Sequence, residues 1–135
     1  MTADLSALIA RLEAAEVGSR ELDAHVWAAA NDYELLRFDG AGWLYKMHAD
    51  DIQRHERTMY ISSVTTSLDA ALALAERVLP VFGWEIHYDE VSGGIFAWVG
   101  ERMAIYGLER GHRGYANTPA LALCIAILRA KQGEG

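Results

Sequence analysis

The sequence predicts an α+β domain, a three-layer α/β/α sandwich whose mainly antiparallel sheet carries helices on both faces. Three observations lead there. Helical periodicity and strand-like alternation share one chain of 135 residues, a length that suits a single domain. The strand-like segments of the second half are joined by turns too short for a crossover, which makes them antiparallel neighbours. Helical patterns stand before, between and after the strands, and layering them on a sheet buries their apolar faces.

The first helix is predicted from Asp4 to Ala15, because Leu5, Leu8, Ile9 and Leu12 recur at i, i+3, i+4, i+7. Gly18 breaks it. Ser19 can cap a second helix, with Glu21 and Asp23 in its first turn where the dipole favours acids. Leu22, Val26 and Ala29 share its apolar face, Trp27 lies off that face, and the helix is expected to end near Asn31. From Tyr33 the pattern changes. YELLRF and WLYKM flank Asp39, Gly40, Ala41 and Gly42, which reads as a hairpin. The polar run HADDIQRHER reads as a loop, and Met59 to Val64 as a short strand.

Thr66 stands three residues before Asp69, approximating a capping box for the third helix. Leu68, Ala71, Leu72, Ala75 and Leu79 build its apolar face, and Pro80 closes it. Three strands follow as a meander over 84–89, 95–99 and 102–106, with turns at Glu90–Gly94 and Gly100–Glu101. Trp84, Ile86 and Tyr88 share a face of the first. The last helix starts with Thr118 as N-cap and Pro119 at N1. Its run ALALCIAIL has almost no polar side, so Leu121, Leu123, Cys124 and Ile127 are expected in the core. Residues 131–135 read as a frayed tail, leaving 1–135 as one domain.

Composition excludes several classes. Residues AVILMFWYC make up 52% and charged residues 23%, which excludes wholesale disorder. The formal charge of −7 argues against duplex nucleic acid, whose binding relies on neutralising phosphates. No apolar run is long enough to span a membrane, and the acidic start MTADLSALIARLEAAE lacks the basic region of a signal peptide. The lone cysteine, Cys124, cannot form an internal disulfide and suits a reducing cytoplasm. Inside PALALCIAIL it reads as a small buried hydrophobe rather than a nucleophile.

The segments TTSLDAALALAERVLP (65–80) and YANTPALALCIAILRAK (115–131), with the opening LIARLEAAEVGSRELDAHVWAA, resemble the phage ABA sandwich domain family of phages and bacterial prophages. The resemblance spans nearly the whole chain and is weakest at 33–64. It implies an α/β/α sandwich and a phage or prophage accessory protein in the cytoplasm of a bacterial host. It brings no established activity and no catalytic motif.

One segment suggests a ligand. Arg110-Gly111-His112-Arg113-Gly114-Tyr115-Ala116-Asn117 reads as a glycine-rich loop running into the helix start at Thr118 and Pro119. Exposed amides, arginine forks and a helix N-terminus all favour anions. Arg110, His112, Arg113, Tyr115 and Thr118 are therefore the candidate anion-binding residues. Charge supports this: residues 1–100 hold 7 basic and 16 acidic side chains, residues 101–135 hold 5 basic and 3 acidic. The plainer reading is a surface loop whose arginines pair with Glu101 or Glu109. The spacing matches neither GxxxxGK[ST] nor GxGxxG.

His48, Asp50, Asp51, His55 and Glu56 are metal-type donors, but HADDIQRH matches no known metal signature and reads as a solvated loop. His25 and His87 fall on a predicted helix and strand, where packing or surface roles are expected. There is no G-x-S-x-G. No metal and no cofactor are expected. The leading reading is a protein that binds rather than catalyses, through a protein partner or by self-association as a homo-oligomer. A phosphate-ligand or nucleotide-sequestering anti-defence protein is the alternative, and a small hydrolase the third.

Overall fold

Ala120 to Leu128 are all buried, so the last helix has no solvent face along those residues and must be packed from several sides. The computed structural model describes residues 5–38, 43–46, 56–59, 61–79, 83–91, 93–103 and 107–133. Its elements are α1 (Leu5–Ala14), α2 (Arg20–Asn31), β1 (Glu34–Phe38), β2 (Trp43–Lys46), β3 (Glu56–Met59), α3 (Leu68–Val78), β4 (Gly83–Tyr88), β5 (Ile95–Met103), β6 (Gly107–Ala116) and α4 (Pro119–Gly133). The class is α+β. Among the described residues there are two antiparallel three-stranded sheets, ordered β1-β2-β3 and β4-β5-β6.

Helix α4 lies on β5 and β6, and α1, α2 and α3 pack against α4 from its other sides. That is why a helix apolar all round is stable here. Thr118 caps it as expected, its Oγ1 accepting the Leu121 N–H at 3.2 Å. Leu121, Leu123, Cys124 and Ile127 are completely buried, together with Leu12, Val26, Val64, Leu74 and Val99. A second small cluster of Ala24, Ala28 and Ile61, joined by Trp27, Tyr33 and Leu35, packs around α2 and the start of β1.

Helix α2 begins at the predicted cap: Ser19 is extended and accepts the Leu22 N–H through its hydroxyl. It ends on Asp32 in the left-handed region, φ 59°, whose N–H bonds to the last carbonyls. Residues Leu35 and Leu36 blur the alternation of β1 because a register shift falls between Leu35 and Arg37 where β1 pairs with β2.

Four local expectations are corrected. The cap of α3 is Ser67, not Thr66: its hydroxyl accepts the Ala70 N–H at 3.2 Å, while Thr66 belongs to the preceding turn. The third strand is Glu56–Met59 rather than Met59–Val64, so Glu56 and Arg57 leave the predicted polar loop to pair with β2. The chain does not turn at Gly100–Glu101. β5 runs through to Met103, and Gly100 pairs with Gly111 of β6, so this glycine marks strand contact rather than a turn. Finally, 110–116 is strand, not loop. The predicted closure by Pro80 lies outside the described residues, as do the Asp39–Gly42 turn and positions 104–106 of the meander.

Candidate binding surface

Strand register divides the predicted anion residues between two faces. Arg113 pairs with Trp98 and Tyr115 with Phe96, and these four lie on the face turned away from α4. His112 pairs with Val99, a fully buried core residue, and so belongs to the inner face, where it is half-buried. The backbone of Arg110 is in β6, and its side chain lies outside the described residues. Thr118 spends its hydroxyl on the helix cap. Of the four whose side chains are described, His112 and Thr118 are directed elsewhere, and the strand brings together Arg113 and Tyr115.

The two glycines serve packing rather than ligand approach. A Cβ on Gly114 would collide with the Ala122 carbonyl of α4, and one on Gly111 with the Trp98 ring. Both are positions where backbone or ring must come closer than any side chain permits. The Arg113 carbonyl is likewise engaged, accepting from Arg129 Nη1 at 2.6 Å.

On the outward face the side chains form two cross-strand rows. Glu85, Trp98 and Arg113 align in one; His87, Phe96 and Tyr115 in the next. The ring centroids of Phe96 and Tyr115 are 5.1 Å apart and those of His87 and Phe96 6.0 Å apart, typical of aromatic pairs. The Arg113 guanidinium stands 5.6 Å from the Phe96 centroid, within cation–π range. His87 Nε2 lies 3.2 Å from Glu85 Oε2. Tyr115 keeps 45% of its surface in solvent, and Glu85, His87 and Arg113 are also exposed. Trp98 is the exception, buried on this same face. The sequence reading put Phe96 and Trp98 on one strand of the meander and Tyr115 in a loop outside it. The i, i+2 spacing of Phe96 and Trp98 was the available signal for a shared face.

A buried polar cluster was not foreseen. Asp23, read from sequence as a first-turn acid favoured by the dipole, is fully buried. Its Oδ1 accepts the Thr65 N–H at 2.8 Å and the Thr65 hydroxyl, and its Oδ2 accepts from Arg20 Nη1 at 2.8 Å. Arg20 also donates to the Ile61 carbonyl and the Ser63 hydroxyl. Thr65 Oγ1 in turn accepts the Ser19 N–H, and Gly18 lies so close that a Cβ would strike the Thr65 carbonyl. This cluster clamps the start of α2 to the turn before α3. Every carboxylate oxygen in it has a donor, so its role is structural.

Other reactive side chains are occupied or sheltered. Cys124 donates its thiol to the Val64 carbonyl at 3.2 Å, and burial, then the Asp23 charge, pushes it far above the ordinary thiol range. A thiol held protonated is not a nucleophile. Burial, then the Arg11 guanidinium, holds His25 below the ordinary imidazole range, with Glu21 opposing. Trp27 Nε1 is buried without a hydrogen-bond partner among the described residues, and the Arg77 guanidinium stands 5.3 Å from its ring.

Of the metal-type donors in sequence, His48, Asp50, Asp51 and His55 lie outside the described residues, as does the side chain of Glu56. Among the described residues no three His, Cys, Asp or Glu side chains are grouped to hold a metal, and no helix is long and apolar enough to cross a membrane. Comparison with family models, curated proteins and solved structures yields no match.

Proposed function

We propose that this protein works by binding rather than by catalysis, and that the outward face of β4-β5-β6 is the surface it uses. The observation that carries the reading is the group of Phe96, Tyr115, His87 and Arg113 on neighbouring strands, with Tyr115, His87 and Arg113 open to solvent. Aromatic residues and arginine are the types enriched in recognition surfaces, where they bring large contact area at little entropic cost. The resemblance to the phage ABA sandwich family sets the proposed context, a phage or prophage accessory protein acting in the bacterial cytoplasm. The three-layer form of the α+β class, with helices on both faces of one sheet, belongs to the same proposal; in the described packing α4 covers one face.

The phosphate-ligand reading draws on Arg113 and its neighbour Tyr115, since Thr118 is committed to its cap and His112 turns inward. It is the second reading, supported by an exposed guanidinium beside aromatic rings.

The test is a photo-reactive amino acid placed at Tyr115 and, as a control, at the exposed Glu76 of α3. The binding reading expects protein adducts from position 115 and none from 76. Equal labelling at both, or none at 115, overturns it.

A further inference from the structure

Resting on the binding reading above, the register of the outward face carries a more specific conclusion about what it binds. Its first row is Glu85 on β4, Trp98 on β5 and Arg113 on β6; its second is His87, Phe96 and Tyr115. An acid thus stands at one edge of the face and an arginine at the other, level with each other across the central strand. Two such faces stacked about a two-fold axis parallel to the strands place each β4 over the partner's β6. Glu85 then meets the partner's Arg113, and Arg113 meets the partner's Glu85, in the same layer. The central strand meets itself, Phe96 against the partner's Phe96.

We infer that this face is self-complementary and that its occupant is a second copy of the chain, joined as a two-fold sandwich of β4-β5-β6 sheets. Isologous contacts of this kind are the commonest form of assembly, and aligned sheets pack about 10 Å apart, a gap that glutamate and arginine side chains can bridge together. The arrangement gives an aromatic centre with charges at its rim, the usual anatomy of an interface. A two-fold axis across the strands and through the first row would instead lay Glu85 over the partner's Glu85 and Arg113 over the partner's Arg113, and like charges select against it. One between the rows would lay Glu85 over the partner's His87 and Arg113 over the partner's Tyr115, an arrangement that a double exchange of Glu85 and Arg113 would not rescue. The burial of Trp98 within one protomer gives the centre a fixed floor, leaving Phe96 and Tyr115 as the contacting rings. A polyanion fits the face less well. Glu85 stands on it beside His87, and the chain as a whole carries a formal charge of −7.

Sedimentation velocity on the purified full chain, over a concentration series reaching about 100 μM, tests this with three variants. The wild-type chain should reach dimer mass. Arg113→Glu should weaken the dimer at least about tenfold, because two like-charge contacts replace two favourable ones, and Glu85→Arg should do the same. The double exchange, Glu85→Arg with Arg113→Glu, should restore the dimer to within about threefold of wild type, since the pair is only reversed. Urea midpoints equal to wild type at a concentration where all the chains are monomeric would show that the variants fold. A wild-type chain that stays monomeric overturns the inference, as does a dimer indifferent to Arg113→Glu or a double exchange that fails to rescue. A monomer whose position 115 photo-labels a different protein would overturn self-association while leaving the binding reading in place.

Discussion

The two faces of the β4-β5-β6 sheet are made from the same strands and differ in what they carry. Toward α4, β5 and β6 present Ala97, Val99, Gly114 and Ala116, all buried, while β4 at the edge of that face presents Trp84, Ile86 and Tyr88, with Trp84 and Tyr88 in solvent. Away from α4 they present Phe96, Trp98, Arg113 and Tyr115, with Arg113 and Tyr115 in solvent. Small residues on the inner face let the backbone of α4 approach β6 until no Cβ fits at Gly114. Close packing of this sort contributes dispersion and excludes voids, so it serves stability. The large residues sit where no described helix needs them. The comparison teaches that size alone does not mark the core here: on β5 and β6 the small residues do the packing, while Arg113 and Tyr115 on the bulkier side stay in solvent.

Mutations should separate the two faces by magnitude. The largest losses belong to the α4 side and its anchor. Asp23→Ala should cost about 3–5 kcal/mol, because it strands buried donors on Thr65 and leaves Arg20 without its carboxylate. Leu123→Ala and Ile125→Ala should each cost roughly 2–5 kcal/mol in urea unfolding, since both side chains are completely buried. A loss near zero at either would mean that α4 is peripheral, and the comparison would fail. Thr118→Ala should cost about 1 kcal/mol through the lost cap.

Cys124 sharpens the same contrast through pH. Its folded-state pKa is raised, by burial first, so its contribution to stability is fully present below the unfolded thiol's range, about pH 8.5. That contribution is lost as pH rises above that range, because the unfolded chain can ionise and the folded chain resists. Cys124→Ala should flatten the alkaline fall in stability by up to about 1.4 kcal/mol per pH unit. An identical slope in both proteins would place the thiol at the surface.

Much of this was legible in the sequence, and what was not has physical reasons. Helix α4 announced itself through Thr118, Pro119 and an unbroken apolar run, because capping chemistry and burial both act locally. Helix α2 did so through Ser19 and its polar-apolar rhythm. The glycines at 100, 111 and 114 misled, since a glycine that admits a neighbouring ring or helix looks the same in sequence as one that makes a turn. That ambiguity hid β6, and with it the outward placement of Arg113 and Tyr115. Asp23 was hidden for a different reason. Its partner Thr65 is distant in the chain, and no local pattern distinguishes an acid clamped by a turn from one favoured by a helix dipole.

The division of labour between faces is tested most directly at two consecutive residues of β6. Gly114 faces α4 and Tyr115 faces away, so the urea midpoints of Gly114→Ala and Tyr115→Ser should part sharply. Gly114→Ala should lose roughly 1–3 kcal/mol or more, because the added methyl meets the Ala122 carbonyl. At a concentration low enough to keep the chain monomeric, Tyr115→Ser should stay within about 0.5 kcal/mol of wild type, as expected of a surface position. A Tyr115→Ser loss as large as that of Gly114→Ala would show that the outward rings hold the fold together, and would contradict the assignment of that face to binding.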